Sequence, residues 1–600
     1  MVRKPSLLLV LTLALAAAVP AIAAPPKVSE FGKYSGYSEA VYDGWVRSSQ
    51  YVPMRDGTRL AVDIVRPTLL GKVASERLPV VWTHTRYQRA FFALEEMKVY
   101  SAADATDWLG EVVRHGYVVA AVDARGTGAS FGTYRGWFSS DETRDGYDVT
   151  EWLAAQPWSN GNVGMYSRSY LGFTQYLAAS QKPPHLKAIF PEVAGTDVYD
   201  LIYHGGIFHG RFIESWSNTV RQLDNDPFNV PVDEDRDRSL LKAALEQHRA
   251  NRNVAFLFAG LPFRDDVDPR TGVPVYRDWT PITYLPEIRA SRIPVYFLAG
   301  WYDRYVRDQT ILFNNLDPLD QPRRLSIGPW THTMMTHFDF AAEHLRWWDY
   351  WLKGIDNGIL QEDPVHYYVI GAPEATAWRS ARSWPLPTEK RTPFWLGPQS
   401  SLDKVASRET GGRDELKVDY SVAVSPDPRW GLDPVIPEMS AHDAKSLTWT
   451  TPPLPAAVEV TGHPVAHLWI SSSAADADVF VYLEEVDPDG KAHYVSEGML
   501  RASNRATGDP GYNTIGLPYH PGLRRGQKPL VPGEPVELAI DLYPTSRLFA
   551  AGHRIRITVA GADQENARTP RLTPAPTLTV WRQPGKASWV DLPVIDASPE

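Results

Sequence analysis

The first half of the chain alternates continuous apolar runs with segments of helical period. The apolar runs, typical of strands buried on both faces of a parallel sheet, are Leu78–Trp82, Tyr117–Val122 and the stretch around Ala188–Phe190. Between them, Tyr147–Ala155 has the spacing of an amphipathic helix. Ahead of them, Val52–Arg66 alternates around an Asp-Gly turn and predicts a β-hairpin. Strands and helices in this order predict an α/β fold, with helices on both faces of a doubly wound sheet.

The β/α rhythm stops between about Asp197 and Arg289. Charged helical stretches such as Ser239–Arg252 take its place, together with many aromatic residues. We expect this segment to be a mostly helical insertion that covers the active site as a cap, because caps exclude water and select substrates. The alternative is a separate structural subdomain.

The strand pattern returns after this insertion and later changes type. Val295–Gly300 and Arg324–Gly328 are again strand-like runs, and Glu343–Gly354 is an amphipathic helix with Gly354 as its C-cap. Beyond about Asp363, short alternating segments separated by Pro and Gly turns predict a β-sandwich. Examples of these segments are Val465–Ile470, Val479–Val486, Val536–Leu542 and Ile555–Val559.

A length of 600 residues exceeds what one hydrophobic core usually supports, so we expect several domains. The predicted divisions are a signal peptide (1–23), the first part of a doubly wound α/β domain (40–196), a helical cap (197–289), the second part of that α/β domain (290–362) and a C-terminal β-sandwich (363–600).

The first residues have the pattern of a cleaved export signal. Arg3 and Lys4 precede the apolar stretch Leu7–Val19, and Ala21-Ile22-Ala23 is a small-residue cleavage site. A transmembrane anchor is the alternative, but the apolar stretch is short and Pro20 follows it. We therefore expect a periplasmic or secreted protein with no membrane contact after signal removal.

The composition of the chain limits the classes of molecule that it is expected to bind. The net charge is −10 and basic patches interleaved with aromatic residues are absent, which argues against nucleic acid. The chain has no Cys, so disulfides cannot stabilise it in an oxidising compartment. No His, Asp and Glu cluster has the spacing of a metal site, and we expect neither a metal nor a cofactor. The expected partner is a small molecule, and the composition does not decide whether the chain forms a homo-oligomer.

Ser169 is the strongest candidate for a catalytic residue. It lies between an apolar strand that begins near Val163 and the helical segment Tyr170–Ala179, among small residues. A sharp strand-to-helix turn of this kind is a nucleophile elbow, in which the N–H of the following residue, Tyr170, faces the developing oxyanion. The match is imperfect, because Ser167 stands at the usual first Gly and Gly172 lies one place late.

Two later strand ends supply the partners that a catalytic Ser needs. Asp303 follows the strand Val295–Gly300, and His332 follows Arg324–Gly328. In doubly wound hydrolases the triad runs in the order Ser, Asp, His, with each residue at the carboxyl end of a later strand. We therefore predict a catalytic triad of Ser169, Asp303 and His332.

These residues, together with the motifs around them, resemble the CocE/NonD hydrolases. That family includes cocaine-esterase-like enzymes, α-amino acid ester hydrolases and bacterial Xaa-Pro dipeptidyl peptidases. Its nucleophile motif, G-x-S-Y-x-G, is matched at Ser169, Tyr170 and Gly172 and departs at Ser167. The resemblance runs from about Val52 to the C-terminus and implies a jelly roll for the sandwich. Further matching motifs are Asp145-Gly146-Tyr147-Asp148, Glu151-Trp152-Leu153 and Gln156-Pro157-Trp158-Ser159-Asn160-Gly161.

The resemblance also implies a second oxyanion donor. In the family a tyrosine hydroxyl supplies it from the loop after an early strand, and Tyr87 stands at the matching position. Arg86 occupies the place where the family often has Pro. A buried core tyrosine is the competing interpretation of Tyr87.

The residues after Asp303 bear on the substrate. The α-amino acid ester hydrolases hold the substrate ammonium with carboxylates, some of which follow the catalytic Asp. Here Arg304 and Arg307 follow it, which argues against a cationic acyl group and favours a neutral, aromatic or acidic one. Alternatively, both arginines are solvated or paired with structural carboxylates.

The sequence thus predicts an exported serine hydrolase that cleaves esters, and some amides, through an acyl-enzyme. An Xaa-Pro dipeptidyl peptidase or an acylase of peptides or β-lactams is one alternative. A carbohydrate-binding protein with a silent hydrolase site is another.

Overall fold

The computed structural model describes residues 26–596, except 104–106, 227, 334, 336–337, 426–428, 430–435 and 565. The predicted export signal lies outside the described residues. Within them, no helix combines the length and the apolar composition needed to cross a bilayer.

The first hydrolase segment contains the predicted hairpin and the buried parallel strands. Its helices are α1 (Asp107–Arg114), α2 (Ser140–Ala154) and α3 (Tyr170–Ser180). Its strands are β1 (Val28–Glu30), β2 (Lys33–Ser35), β3 (Gly44–Pro53), β4 (Arg59–Leu69), β5 (Lys72–Val73), β6 (Leu78–Thr85), β7 (Ala90–Ala93), β8 (Lys98–Ser101), β9 (Val118–Asp123), β10 (Ser159–Arg168) and β11 (Leu186–Glu192).

A helical insertion follows β11, as the loss of the β/α rhythm predicts. Its helices are α4 (Val198–Ile202), α5 (Gly210–Asp224), α6 (Ser239–His248), α7 (Val254–Ala259), α8 (Val275–Asp278) and α9 (Leu285–Ser291). The apolar face of α5, which includes Phe212, Ile213 and Trp216, is buried against the hydrolase domain.

The chain then returns to the hydrolase sheet. The elements are β12 (Val295–Gly300), α10 (Val306–Asn315), β13 (Arg323–Gly328), α11 (Phe340–Lys353), β14 (Val365–Tyr368), α12 (Glu374–Ala377) and β15 (Trp378–Ala381). Helix α11 ends at Gly354, whose φ of +70° is a left-handed C-cap conformation that favours glycine.

Among the described residues, the hydrolase sheet has eleven strands in the order β15-β14-β13-β12-β11-β10-β6-β9-β4-β3, with β5 beside β4. Strands β9, β6 and β10 to β14 pair in parallel, whereas β3, β4 and β15 pair antiparallel at the two edges. The parallel strands β10 to β13 are neighbours, so their carboxyl ends meet at one edge of the sheet.

The C-terminal part is a sandwich of two antiparallel sheets. Its inner faces enclose a separate apolar core that includes Leu468, Val481, Leu538 and Ile557. Between β18 and β19 lies the short helix α13 (Ser440–Asp443). The strands are β16 (Glu389–Leu396), β17 (Leu402–Asp403), β18 (Arg413–Lys417), β19 (Leu447–Thr450), β20 (Val458–Gly462), β21 (Val465–Ser472), β22 (Asp478–Val486), β23 (Ala492–Arg501), β24 (Val536–Asp541), β25 (Thr545–Phe549), β26 (Arg554–Ala560), β27 (Thr577–Gln583), β28 (Lys586–Ala587) and β29 (Trp589–Ile595).

The smaller sheet has the order β19-β26-β22-β23, and its outer face packs toward the hydrolase domain. Phe480 and Tyr482 of β22 point to that side and belong to the same core as Val80 of the hydrolase sheet and Ile213 of the cap. One core therefore joins all three parts of the chain.

The predicted fold class, an α/β-hydrolase sheet with a helical cap insertion and a C-terminal β-sandwich, is confirmed. Strands β14 and β15, which follow residue 363, extend the hydrolase sheet, and the strands of the sandwich begin at Glu389. Short alternating segments have the same pattern in either sheet, so the pattern did not assign these two strands.

Candidate active site

Ser169 occupies the turn between β10 and α3 in a strained backbone conformation. Its φ is +57° and its ψ is −130°, a combination that L-residues rarely adopt outside functional turns. Ser167, at the position of the usual first Gly, has a φ of +107°. A Cβ on Gly172 would lie 2.4 Å from the Cβ of Ala194, which explains glycine at that position. These are the features of a nucleophile elbow.

The structure brings Ser169, Asp303 and His332 together at the carboxyl edge of the sheet. The Ser169 hydroxyl lies 3.0 Å from Nε2 of His332, and Nδ1 of His332 lies 2.6 Å from Oδ2 of Asp303. Both contacts have hydrogen-bond geometry. The order Ser, His, carboxylate is the one in which an imidazole can take the hydroxyl proton.

The Asp303 carboxylate is buried and held on several sides. Its Oδ1 accepts the Tyr305 N–H at 2.7 Å. The buried guanidinium of Arg429, from the sandwich segment before α13, donates to the backbone carbonyls of Asp303 and Trp301. The sandwich therefore helps to position the loop that carries Asp303.

The imidazole of His332 has two positively charged side chains near it, and they affect its pKa. Burial lowers the pKa of His332 below its usual value of 6.5, Asp303 opposes that shift, and Arg304 and Arg168 lower the pKa further. The imidazole is therefore neutral at pH 7, as a general base must be.

Two groups are placed to stabilise an oxyanion beside Ser169. Tyr170 is the first residue of α3, so its N–H has no acceptor within the helix. The hydroxyl oxygen of Tyr87 accepts the Nε1–H of Trp216 at 2.8 Å, which leaves the Tyr87 O–H free to point elsewhere. Burial raises the pKa of Tyr87, whereas Trp216, Arg86 and Ser169 lower it. The hydroxyl is thus protonated and close to Ser169.

The Arg86 side chain, at the position where the resemblance leads us to expect Pro, ties the Tyr87 loop to the cap. It donates two hydrogen bonds to Asp224 at 2.6 and 2.8 Å, and both side chains are buried. Asp224 is the last residue of α5, the helix that also carries Trp216. Neither Asp224 nor Trp216 could be predicted as a site residue, because their contacts join segments far apart in the chain.

A buried carboxyl group lies behind the elbow. The Tyr170 hydroxyl donates to Glu142 at 2.8 Å. Burial raises the pKa of Glu142 to about 8, despite the Tyr170 hydrogen bond. Glu142 is therefore mostly protonated at pH 7. The sequence does not indicate a special role for Glu142, because an acidic residue is common in the first turn of a helix such as α2.

A cavity of about 470 Å³ opens above Ser169 and His332. The cap contributes Phe212 and Trp216 of α5 to its wall, in agreement with the predicted role of the insertion. Among the described residues that line it there is no Asp or Glu, and the charged side chains are Arg168 and Arg304. The wall is mainly aromatic, with Phe91, Trp137, Phe138, Phe173, Phe212 and Tyr305.

The two arginines that follow Asp303 have different environments. Arg304 is buried in the cavity wall, with its guanidinium 4.3 Å from the Phe212 ring centroid. Arg307 instead contacts Asp541 of the sandwich and lies 3.5 Å from Asp200 of the cap. Structural pairing, one of the two predicted alternatives, is therefore correct for Arg307.

Comparison with known proteins gives matches over nearly the whole chain. Residues 56–334 match the X-Pro dipeptidyl-peptidase (S15) family, and residues 357–590 match the X-Pro dipeptidyl-peptidase C-terminal non-catalytic domain. A protein of Mycobacterium bovis named as a serine esterase is 36% identical, over 92% of this chain and 96% of its own. The cocaine esterase of a Rhodococcus species is 30% identical, over 86% of this chain and 91% of its own.

The fold is also similar to solved structures. A CocE/NonD family hydrolase from Staphylococcus aureus superposes with a TM-score of 0.71 over 92% of this chain and 94% of its own, at 22% identity. At that identity the likeness shows a shared fold.

Proposed function

The chain belongs to the S15 and CocE/NonD family of serine hydrolases, and from that premise we propose that it cleaves carboxylic esters through an acyl-enzyme on Ser169. The observation that carries the proposal is the continuous series of contacts from the Ser169 hydroxyl through His332 to the buried Asp303. A silent binding protein would have no need of a strained serine in hydrogen-bond contact with a neutral imidazole.

In the proposed mechanism, the Ser169 oxygen attacks the ester carbonyl while Nε2 of His332 takes its proton. Asp303 accepts the Nδ1–H, which fixes the tautomer and stabilises the imidazolium that forms. His332 then gives the proton to the leaving alcohol as the carbon–oxygen bond breaks. Water repeats the sequence on the acyl-enzyme and releases the acid.

The negative charge of each tetrahedral intermediate would be stabilised by the Tyr170 N–H and the Tyr87 hydroxyl. Both donors are fixed before substrate binds, one by the start of α3 and the other by Trp216. Loss of one such donor costs about 3–4 kcal/mol of barrier.

The cavity supports an uncharged aromatic or an acidic acyl group. Its described wall is rich in aromatic rings and carries Arg168 and Arg304 without an acidic residue. A substrate ammonium group would meet cations and find no carboxylate there. This composition favours esters over the Xaa-Pro dipeptides named in the family's description, which carry a free amine.

The nucleophile is tested by replacing each serine of the elbow. Ser169→Ala removes the attacking oxygen, and we expect kcat on an aryl ester to fall by at least about 10⁴-fold. Ser167→Ala is the matched control and keeps most of the activity. A fluorophosphonate reagent, which labels only an activated serine, should label the wild type and Ser167→Ala but not Ser169→Ala. The reverse pattern would show that Ser169 is not the nucleophile.

The acyl preference is tested with a series of esters of one leaving alcohol. Neutral aromatic and carboxylate-bearing acyl groups should give higher kcat/KM than an α-amino acyl group of similar size. A proline-amide dipeptide tests the peptidase alternative. Faster cleavage of that amide than of the neutral aryl ester would contradict the ester assignment.

We further propose that the chain is exported and cleaved near Ala23–Ala24. The proposal depends on the charged, apolar and small-residue segments of the first 23 residues. Intact-mass measurement of protein from the periplasmic or secreted fraction tests it. A full-length mass in the cytoplasmic fraction alone would contradict export.

A further inference from the structure

A second cluster of polar side chains lies in the sandwich, on the face that packs toward the hydrolase domain. His442 and Asp443 end the short helix α13, and Glu484 comes from the neighbouring strand β22. One imidazole nitrogen and one oxygen from each carboxylate all lie within 4.8 Å of one another. These residues do not line the cavity above Ser169.

The cluster is shielded from bulk solvent. Glu484 is 0% exposed and His442 is 5% exposed. Among the described residues, no hydrogen-bond partner is found for either ring nitrogen of His442 or for either carboxylate oxygen of Glu484. Buried polar atoms are seldom left unsatisfied, because each one costs roughly 1–3 kcal/mol. A bound group that accepts from or donates to these four atoms would offset this cost.

Asp443 is oriented into the cluster by its other contacts. Its Oδ2 accepts a hydrogen bond from Arg556, and its Oδ1 lies 3.2 Å from the Thr558 hydroxyl and 3.7 Å from Nδ1 of His442. The carboxylate is thus already fixed with one oxygen toward His442, as in the outer contacts that orient metal ligands.

A shared proton is the simplest alternative occupant. Burial and the nearby Asp443 raise the pKa of Glu484 well above its usual value, so a proton could join the two carboxyl groups. Such a proton, with the nearby Thr558 hydroxyl, satisfies the two carboxyl groups but leaves the imidazole of His442 without a hydrogen-bond partner. A divalent cation satisfies all three side chains together.

We propose that His442, Asp443 and Glu484 bind one divalent transition-metal ion, with zinc as its representative. An imidazole with two carboxylates is a donor set for zinc and its neighbours, whereas calcium takes six to eight oxygen ligands. Arg556 offsets one carboxylate charge, so the ionised cluster keeps a net negative charge that favours a cation. The ion is structural in this proposal, since it would join α13 to β22 within a buried interface.

The binding experiment uses the full chain. The protein is stripped with a chelator, dialysed against zinc, freed of unbound ion and measured by elemental mass spectrometry. We expect about one zinc per chain and an unfolding midpoint several degrees above that of the stripped protein. Absence of bound zinc, with no shift of the midpoint, would overturn the proposal.

Variants assign the ion to the cluster. Glu484→Gln keeps the shape of the side chain and removes its charge, and we expect it to lose both the bound zinc and the zinc-dependent shift. The matched control is Asp487→Asn, at the turn of the same hairpin, whose carboxylate contacts the partly exposed His493 at 3.0 Å. It should bind zinc as the wild type does. Ester hydrolysis by Glu484→Gln should stay near the wild-type rate.

Two results would place the ion elsewhere and reject the site. The first is full zinc binding by both Glu484→Gln and His442→Gln. The second, which needs no variant and therefore holds even if the variants do not fold, is an X-ray absorption spectrum of the wild-type zinc protein without an imidazole ligand.

Discussion

Burial is the main cause of the lowered pKa of His332, and the positive charge of the cavity wall lowers that pKa further. Arg168 and Arg304 both lower the pKa of the imidazole, and Arg168 is the more exposed of the two. Arg168→Gln removes one positive charge, so we expect the acidic limb of the kcat/KM profile to move to higher pH. The shift should shrink as salt is added, because a partly exposed charge is screened.

The matched control is Arg277→Gln, whose exposed guanidinium pairs with the adjacent Asp278 outside the cavity. Its pH profile should coincide with that of the wild type. Movement of the acidic limb of Arg168→Gln to lower pH would contradict the electrostatic argument.

The buried carboxyl of Glu142 makes the stability of the protein depend on pH. Its pKa is about 8 in the folded chain, against the usual 4.5. The folded state therefore binds more protons between these values, and this group's contribution to stability is present below pH 4.5 and is lost as pH rises through 8. Glu142→Gln cannot ionise and still offers an oxygen to Tyr170. Its free energy of unfolding, relative to the wild type, should rise by about a few kcal/mol between pH 5 and pH 9. A constant difference across that range would contradict a raised pKa.

The sequence predicted those site residues whose place in the fold follows from a nearby pattern, namely a position directly after a predicted strand. Ser169, Asp303 and His332 each follow an apolar strand, and parallel neighbouring strands bring their ends together; their catalytic roles stay predictions. Trp216 and Asp224 could not be found in this way, since nothing near them in the sequence indicates contact with the Tyr87 loop. His442 and Glu484 could not be predicted as a cluster for the same reason, because α13 and β22 come together only in the folded chain.

At the scale of elements, the contact between α5 and the loop after β6 links the cap to Tyr87, the proposed oxyanion donor. Asp224→Asn would leave the buried Arg86 charge without its carboxylate, which costs about 3–5 kcal/mol. We expect a lower unfolding midpoint and a lower kcat on aryl esters. Thermal unfolding and steady-state kinetics measure the two effects.

Glu214→Gln is the control for this contact. Glu214 lies on the same helix and contacts Arg568 at the surface, where an ion pair contributes at most about 1 kcal/mol. Equal stability and activity of the two variants would show that α5 does not hold the Tyr87 loop in place.

The periodicity of apolar residues along the chain predicted most of the helices and strands. Long apolar runs gave the parallel strands, and the charged helical stretch Ser239–Arg252 indicated the cap, in which α6 spans Ser239–His248. The sheet that β14 and β15 join could not be predicted, because strand periodicity shows which face of a strand is buried and not which sheet it joins.

At the scale of the whole molecule, one core connects the hydrolase sheet, the cap and the sandwich. It contains Val80, Ile213 and Tyr482, which come from the three parts in turn. We therefore expect a single cooperative unfolding transition in urea. Tryptophan fluorescence, circular dichroism and ester hydrolysis should report the same midpoint. A resolved earlier transition of the sandwich in calorimetry would contradict this coupling.

The contact of Arg429 with the carbonyl of Asp303 has a consequence for biosynthesis. Ribosomes release the hydrolase segment first, so Ser169, Asp303 and His332 all emerge before the arginine that braces the aspartate loop. We expect nascent chains and proteolytic fragments that stop short of residue 429 to be poor hydrolases. Activity would then begin only once nearly three quarters of the polypeptide has been made. An unfinished chain would therefore hydrolyse few esters inside the producing cell.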